Sequence, residues 1–151
     1  MTKKTDLLEK AIEVALKAHA GQKDKAGEPY ILHCLSVMLK GKTDDEKIVG
    51  VLHDIIEDTE TNAETLREKG FPEEIINAVV CLTKVKGEKY DVYLERVKKN
   101  ILAVRVKLND LEDNMNLLRL EKVTEKDLLR LNKYLKTYRE LSDEGVDNYE
   151  L

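Results

Sequence analysis

Apolar positions recur at three- and four-residue spacing through most of the chain, which is the signature of helices with one buried face. Leu8, Ile12, Ala15, Leu16 and His19 mark such a face, predicting a helix over about 6–20 that Gly21 stops. Residues 22–30 form a polar loop, in which Gly27 permits an unusual backbone angle and Pro29 breaks any preceding helix. A second helix is predicted over about 30–40, closed by Gly41. Thr43 or Asp44 caps a third, which is expected to continue unbroken to Glu57 or Asp58. A short helix over 62–69 ends at Gly70, and Pro72 starts the next, with Glu73 and Glu74 at its positive end and Ile75, Ile76, Val79, Val80 and Leu82 inside. Beyond a basic loop at 83–89, helices are predicted over about 90–99, 101–120 and 125–141, the last carrying Leu128, Leu131, Tyr134, Leu135 and Tyr138. Strict alternation and hairpin signals are both lacking. The expected fold is all-α, one bundle of about seven to eight helices spanning 1–151, with an acidic tail at 142–151 that frays.

Composition narrows the class. With 42% hydrophobic and 37% charged residues, the chain of 151 suits one folded domain with a single core. The net charge of −4 argues against nucleic acid or an anionic membrane as partner, because neither attracts an acidic protein. No apolar run approaches the ~20 residues needed to span a bilayer. Cys34 and Cys81 are too few for a disulfide framework, and the N-terminus lacks the apolar core of a signal peptide. The expectation is a cytoplasmic protein in which both cysteines are small core residues.

Candidate chemistry gathers where polar residues interrupt apolar helices. Between Val51 and Asp58 stand His53, Asp54, Glu57 and Asp58, flanked by Val51, Leu52, Ile55 and Ile56. In one helix, His53 lies over Glu57 and Asp54 over Asp58, while His53 and Asp54 point about 100° apart. Charged groups held half-buried need a counter-ion, and a metal supplies one. His33 sits on a helix that otherwise presents Leu32, Leu35 and Val37, and Asp110 and Asn114 share a face of a helix whose remaining repeat is core. Two histidines and two aspartates form a mixed nitrogen and oxygen set, suited to Mn²⁺, Fe²⁺, Zn²⁺ or Mg²⁺. His19 is expected to bond to the loop that follows it and not to serve as a ligand.

Four segments in this order carry a resemblance: Ala18-His19-Ala20-Gly21-Gln22, Lys25-Ala26-Gly27-Glu28-Pro29-Tyr30-Ile31-Leu32-His33, Leu52-His53-Asp54-Ile55-Ile56-Glu57-Asp58-Thr59, and Lys107-Leu108-Asn109-Asp110-Leu111-Glu112-Asp113-Asn114. The chain resembles the HD-domain phosphohydrolases, and more narrowly the hydrolase domain of the RelA/SpoT alarmone enzymes in its small stand-alone form. The resemblance implies an HD-type helical bundle and a metal, usually Mn²⁺, held by His33, His53, Asp54 and Asp110. It implies that Glu57 and Asp58 position or activate the attacking water, that Lys25 and Asn114 help hold the nucleotide, and that the substrate is guanosine tetra- or pentaphosphate, (p)ppGpp, losing its 3′-pyrophosphate. Of the two acids, Glu57, one turn from His53, is expected to accept the water's proton and Asp58 to orient the water. Longer relatives add a synthetase domain, so synthesis of the alarmone is not expected here. Two departures stand out. Asp24 occupies a position where the family often has arginine, and Asp110-Leu111-Glu112-Asp113-Asn114 replaces a pattern of Asp-Arg-Leu-His-Asn. Less base and more acid weaken the local attraction for phosphates.

Lys25, Lys84, Lys86 and Tyr134 are candidates to meet phosphates or the sugar, and Tyr30 to stack on a base or close the pocket. Each has a plainer role available: solvated lysines for Lys84 and Lys86, packing for Tyr134, a cap or bridge for Asn114, a solvated helix end for Glu57 and Asp58. Two other functions fit the same residues. One is an HD hydrolase of another phosphorylated nucleotide, such as the 2′-phosphate of NADPH; the other is a non-catalytic nucleotide-binding protein.

Overall fold

The repeat of the first segment folds as α1, Lys4–Ala18, with Leu7, Ala11 and Ala15 buried. The structure is a computed structural model that describes residues 3–147. Within them the remaining elements are α2 (Ile31–Lys40), α3 (Asp44–Leu52), α4 (Ile55–Asp58), α5 (Ala63–Glu68), α6 (Glu73–Cys81), α7 (Tyr90–Lys98), α8 (Ile101–Asn114), a 3-10 turn at Leu117–Arg119 and α9 (Glu125–Asp147). The described residues form no strand, only a single bridge between Lys23 and Pro29 that pinches the α1–α2 loop. The fold is the expected all-α bundle.

α3 is the axis of the molecule. Ile48, Val49, Gly50, Val51 and Leu52 are all fully buried, so no face of its second half reaches solvent. α1, α2, α6 and α8 surround it, α7 packs on α8, and α9 lies along α8. Its start is fixed by a capping box: Thr43 Oγ1 accepts the Glu46 N–H and donates back to Glu46 Oε2, each at 3.1 Å. Gly50 is dictated by packing. A Cβ there would lie 3.1 Å from Met38 Cα and 3.2 Å from Met38 N, so the backbones of α2 and α3 touch at this point.

The expected third helix is not continuous. α3 stops at Leu52, His53 and Asp54 form a turn, and α4 begins at Ile55. The His53 side chain is the local cause. Its Nδ1 donates to the Gly50 carbonyl at 2.6 Å, an oxygen that a continuous helix reserves for the Asp54 N–H. This division raises the count to nine helices among the described residues. α8 is also shorter than its apolar pattern suggests, because Asn116 accepts the Leu118 N–H and starts the 3-10 turn. α9 runs past Leu141 to Asp147; residues 148–151 of the expected fraying tail lie outside the described residues. Cys34 and Cys81 are free thiols, the first buried. Among the described residues no helix is long and apolar enough to cross a membrane.

Candidate metal centre

Three pieces of chain meet beside the end of α3. α2 contributes His33, the turn between α3 and α4 contributes His53 and Asp54, and α8 contributes Asp110. His33 is 4% exposed, His53 2% and Asp110 6%. His33 Nε2 lies 2.9 Å from Asp110 Oδ1 and 3.9 Å from Asp54 Oδ2. His53 Nε2 lies 3.0 Å from Asp54 Oδ2 and 3.3 Å from Asp110 Oδ1. The two imidazoles stand nearly edge to face, with centroids 5.2 Å apart.

The outer nitrogens settle the tautomers. His33 Nδ1 faces the Asp113 carboxylate at 2.6 Å and His53 Nδ1 faces the Gly50 carbonyl at 2.6 Å. Both partners only accept, so both Nδ1 atoms carry protons and both Nε2 atoms turn inward. Two lone pairs and two carboxylates then converge, which is unstable unless a positive charge sits among them. Protonation of the rings is one answer. Burial opposes charge on His53, but Asp54 and then Asp110 outweigh it and hold its pKa well above the ordinary value. On His33, burial is likewise overcome by the hydrogen bonds to Asp110 and Asp113. A proton is a poor fit at His53 Nε2, whose approach to the nearby carboxylates is too bent for a hydrogen bond and which has no other partner. A divalent cation accepts from all four groups at once, and the donor set matches one. His33, His53 and Asp54 alone bring donor atoms within 4.8 Å of one another.

Each carboxylate of the set is itself held. Asp110 Oδ2 takes Lys107 Nζ at 2.9 Å, and Asp110 Oδ1 takes Asn114 Nδ2 at 2.9 Å. Burial resists the charge on Asp110, but Lys107 and then His53 pull its pKa well below the usual carboxylate range. The Tyr30 hydroxyl donates to Asp54 Oδ2. His19 Nδ1 donates to Gln22 Oε1 at 2.9 Å, as expected of a histidine tied to its own loop, and Gln22 Nε2 donates to the Asp58 carbonyl at 3.0 Å.

Beside this cluster opens a cavity of about 440 Å³. Its lining mixes Asp54, Glu57, Asp58 and Asp110 with Lys23, Lys25, Arg119 and Arg130, beside Asn114 and Tyr134, and two of these bases are paired, Arg119 with Asp113 and Arg130 with Asp127. Glu57 is fixed by the Lys84 N–H, which donates to its Oε1 at 2.7 Å. Partial burial, then the charges of Asp54 and Glu57, push the Asp58 pKa up to about 6. Burial, then the charge of Arg130, lowers the pKa of Lys25.

The structure therefore brings Lys25, Asn114 and Tyr134 to the cavity with Asp54 and Asp110, while His33 and His53 are buried and do not line it. Lys86 and Lys84 do not line it: the Lys84 backbone reaches Glu57, while Lys86 stays in the 83–89 loop. Tyr30 meets the site through its hydroxyl and its tilted contacts with His19 and His33. The two acidic departures are less damaging than their charge suggests. Asp24 Oδ1 accepts the N–H groups of Ala26 and Glu28, both at 2.9 Å, and folds the loop that carries Lys25. Asp113 is 4% exposed and is paired with His33 and with Arg119, which overcome burial and lower its pKa to about 2. Asp113, Arg119 and Arg130 were not predicted. Asp113 lies three residues after Asp110, on the same helix face, but that spacing does not reveal that its partner is His33.

Comparison with known proteins places this geometry. A family model described as an HD domain matches residues 11–128. A guanosine-3′,5′-bis(diphosphate) 3′-pyrophosphohydrolase of Aquifex aeolicus is 37% identical over 123 residues, covering 74% of this chain and 18% of that protein. A protein of the same description from Haemophilus influenzae is 35% identical over 119 residues, 70% of this chain and 18% of its own length. A GTP pyrophosphokinase of Streptomyces coelicolor is 34% identical over 125 residues, 74% of this chain and 15% of that protein. The chain thus spans less than a fifth of these relatives. A solved structure described as a metazoan ortholog of SpoT that hydrolyzes ppGpp superposes with a TM-score of 0.75 over 99% of this chain and 97% of its own, at 19% identity, a likeness of fold.

Proposed function

The chain belongs to the HD-domain family, and from that premise we propose that it hydrolyses (p)ppGpp, releasing the 3′-pyrophosphate with the help of a divalent cation. The observation that carries this reading is the convergence of His33, His53, Asp54 and Asp110 beside a cavity that Asp54 and Asp110 line together with Lys23, Lys25, Arg119 and Arg130. The shared sequence with the Aquifex and Haemophilus pyrophosphohydrolases supports the choice of substrate.

His33, His53, Asp54 and Asp110 would hold the ion, and Mn²⁺ would suit their mixed nitrogen and oxygen donors. When bound, the ion supplies Lewis-acid stabilisation of the charge that builds on the phosphoryl oxygens. Asp58 takes the proton of the attacking water, and Glu57, fixed by the Lys84 N–H, orients that water. The water oxygen bonds to the phosphorus attached to the ribose 3′ oxygen, the bond from that oxygen to phosphorus breaks, the proton taken from the water passes to the 3′ oxygen as its hydroxyl, and pyrophosphate departs carrying the water oxygen. Lys25 and Tyr134, which line the cavity, meet the nucleotide, and Asn114 joins Asp110 to the cavity. Such a substrate is soluble, and the enzyme is read as cytoplasmic.

The test is a release assay over guanosine tetraphosphate, NADPH and simple nucleotides, with and without Mn²⁺. Pyrophosphate from the first alone, and only with the ion, is the expected result. Orthophosphate from NADPH moves the substrate to the 2′-phosphate class, and no turnover of any of them overturns the hydrolase reading.

A further inference from the structure

The two inward histidines are oriented by different means. His53 hangs from a backbone carbonyl, a neutral acceptor that belongs to its own helix. His33 is gripped at both ring nitrogens by a helix almost eighty residues away: Asp110 Oδ1 on Nε2 at 2.9 Å and Asp113 Oδ2 on Nδ1 at 2.6 Å. Asp113 is in turn clamped by the 3-10 turn, where an Arg119 nitrogen lies 2.5 Å from its carboxylate and 3.2 Å from its backbone carbonyl. Asp113 is 4% exposed, so its contact with His33 is buried while Arg119 reaches it from the surface.

We propose that Asp113, set by Arg119, is the positioning residue for His33: it takes the Nδ1 proton as a hydrogen bond and thereby commits Nε2 to the cation. The inference rests on the metal centre of the proposed function. A carboxylate behind an imidazole fixes the tautomer and raises the basicity of the ligating nitrogen, and losing such a partner typically lowers metal affinity by about 10- to 100-fold. A carbonyl lends less charge, so the two histidines are unequal ligands and His33 is the stronger one. Because Asp110 and Asp113 lie three apart on α8, the same helix face supplies one ligand and orients another. The plainer alternative is that Asp113 is only a latch between α2 and α8.

Three readings separate these. Mn²⁺ affinity is measured by electron paramagnetic resonance for the wild type, Asp113→Asn and Asp113→Ala, and the His33 ring nitrogens are followed by ¹⁵N NMR in the metal-free and Zn²⁺-loaded proteins. In the Zn²⁺-loaded wild type His33 is expected to carry its proton on Nδ1 and to offer Nε2 to the ion. In Asp113→Ala the Nε2-protonated tautomer gains population and Mn²⁺ affinity falls by about 10- to 100-fold. Asp113→Asn, which keeps an acceptor oxygen but no charge, is expected to fall between the two. A latch would change only thermal stability, so unchanged affinity together with an unchanged His33 tautomer overturns the inference. If the Asp113 variants do not fold, Arg119→Gln, at a side chain 32% exposed, reads the same two quantities, with a smaller loss expected and no change overturning the proposal. Wild-type protein that binds Mn²⁺ yet releases no pyrophosphate defeats the proposed function and leaves this inference standing. Wild-type protein that binds no Mn²⁺ defeats both.

Discussion

Glu57 and Asp58 are neighbours in different surroundings. Glu57 is pinned by a backbone N–H from the 83–89 loop, whereas Asp58 has its pKa pushed up to about 6, first by partial burial and then by Asp54 and Glu57. A held carboxylate suits orientation, and a carboxyl with a raised pKa suits proton transfer. The double variant Glu57→Gln with Asp58→Asn is expected to keep its Mn²⁺ affinity while pyrophosphate release falls about 10²- to 10⁴-fold; a titration beside a release assay reads both. The raised pKa also has a consequence for the metal-free protein. The folded form holds the Asp58 proton more tightly than the unfolded chain, so the contribution of Asp58 to stability is full below pH 3.8, declines as pH rises to about 6 and is lost above that window. Asp58→Asn removes this component, and thermal melts in chelator at pH 4 and pH 7 are expected to show a smaller decline for the variant. At this scale the four candidate ligands are legible in the sequence through the order of the segments that carry them, and His33 also because it is polar in an otherwise apolar helix. Asp113 is not, since it sits in the charged run Glu112-Asp113-Asn114 and its partner is distant in the chain. The Lys84 contact was invisible for another reason: it uses a backbone N–H, which every residue but proline possesses.

Among the elements, the break between α3 and α4 matters most. Had the helix run on, His53 and Asp54 would splay by about 100°; with the turn, His53 Nε2 and Asp54 Oδ2 come within 3.0 Å. The periodicity of apolar residues marked the helices well but missed this turn, because Val51, Leu52, Ile55 and Ile56 keep helical spacing across it. What ends α3 is a side-chain bond to a carbonyl, and no pattern of apolar positions encodes that. The start of α3 was legible, since Thr43 and Glu46 form a recognisable capping box. Thr43→Ala is expected to cost about 1 kcal/mol in denaturant unfolding. Gly50→Ala is expected to cost about 1–3 kcal/mol, because the added methyl meets the backbone of Met38 and Val37 rather than a movable side chain. An alanine variant as stable as the wild type would show that α2 and α3 do not touch there.

Across the whole molecule, α3 serves as a buried post, and the site forms where α2, the α3–α4 turn and α8 meet beside its end. Ions that bind only the folded state stabilise it, by about 2.7 kcal/mol when present at a hundred times Kd. The melting temperature is therefore expected to rise with added Mn²⁺ and fall in chelator, and to respond much less in His33→Ala. The central claim is that His33, His53, Asp54 and Asp110 hold one cation together. Anomalous diffraction at the manganese edge, from crystals grown with Mn²⁺, tests it most directly. One anomalous peak bonded to all four side chains is the predicted map; a well-ordered site without that peak, or a peak bonded to other residues, contradicts it.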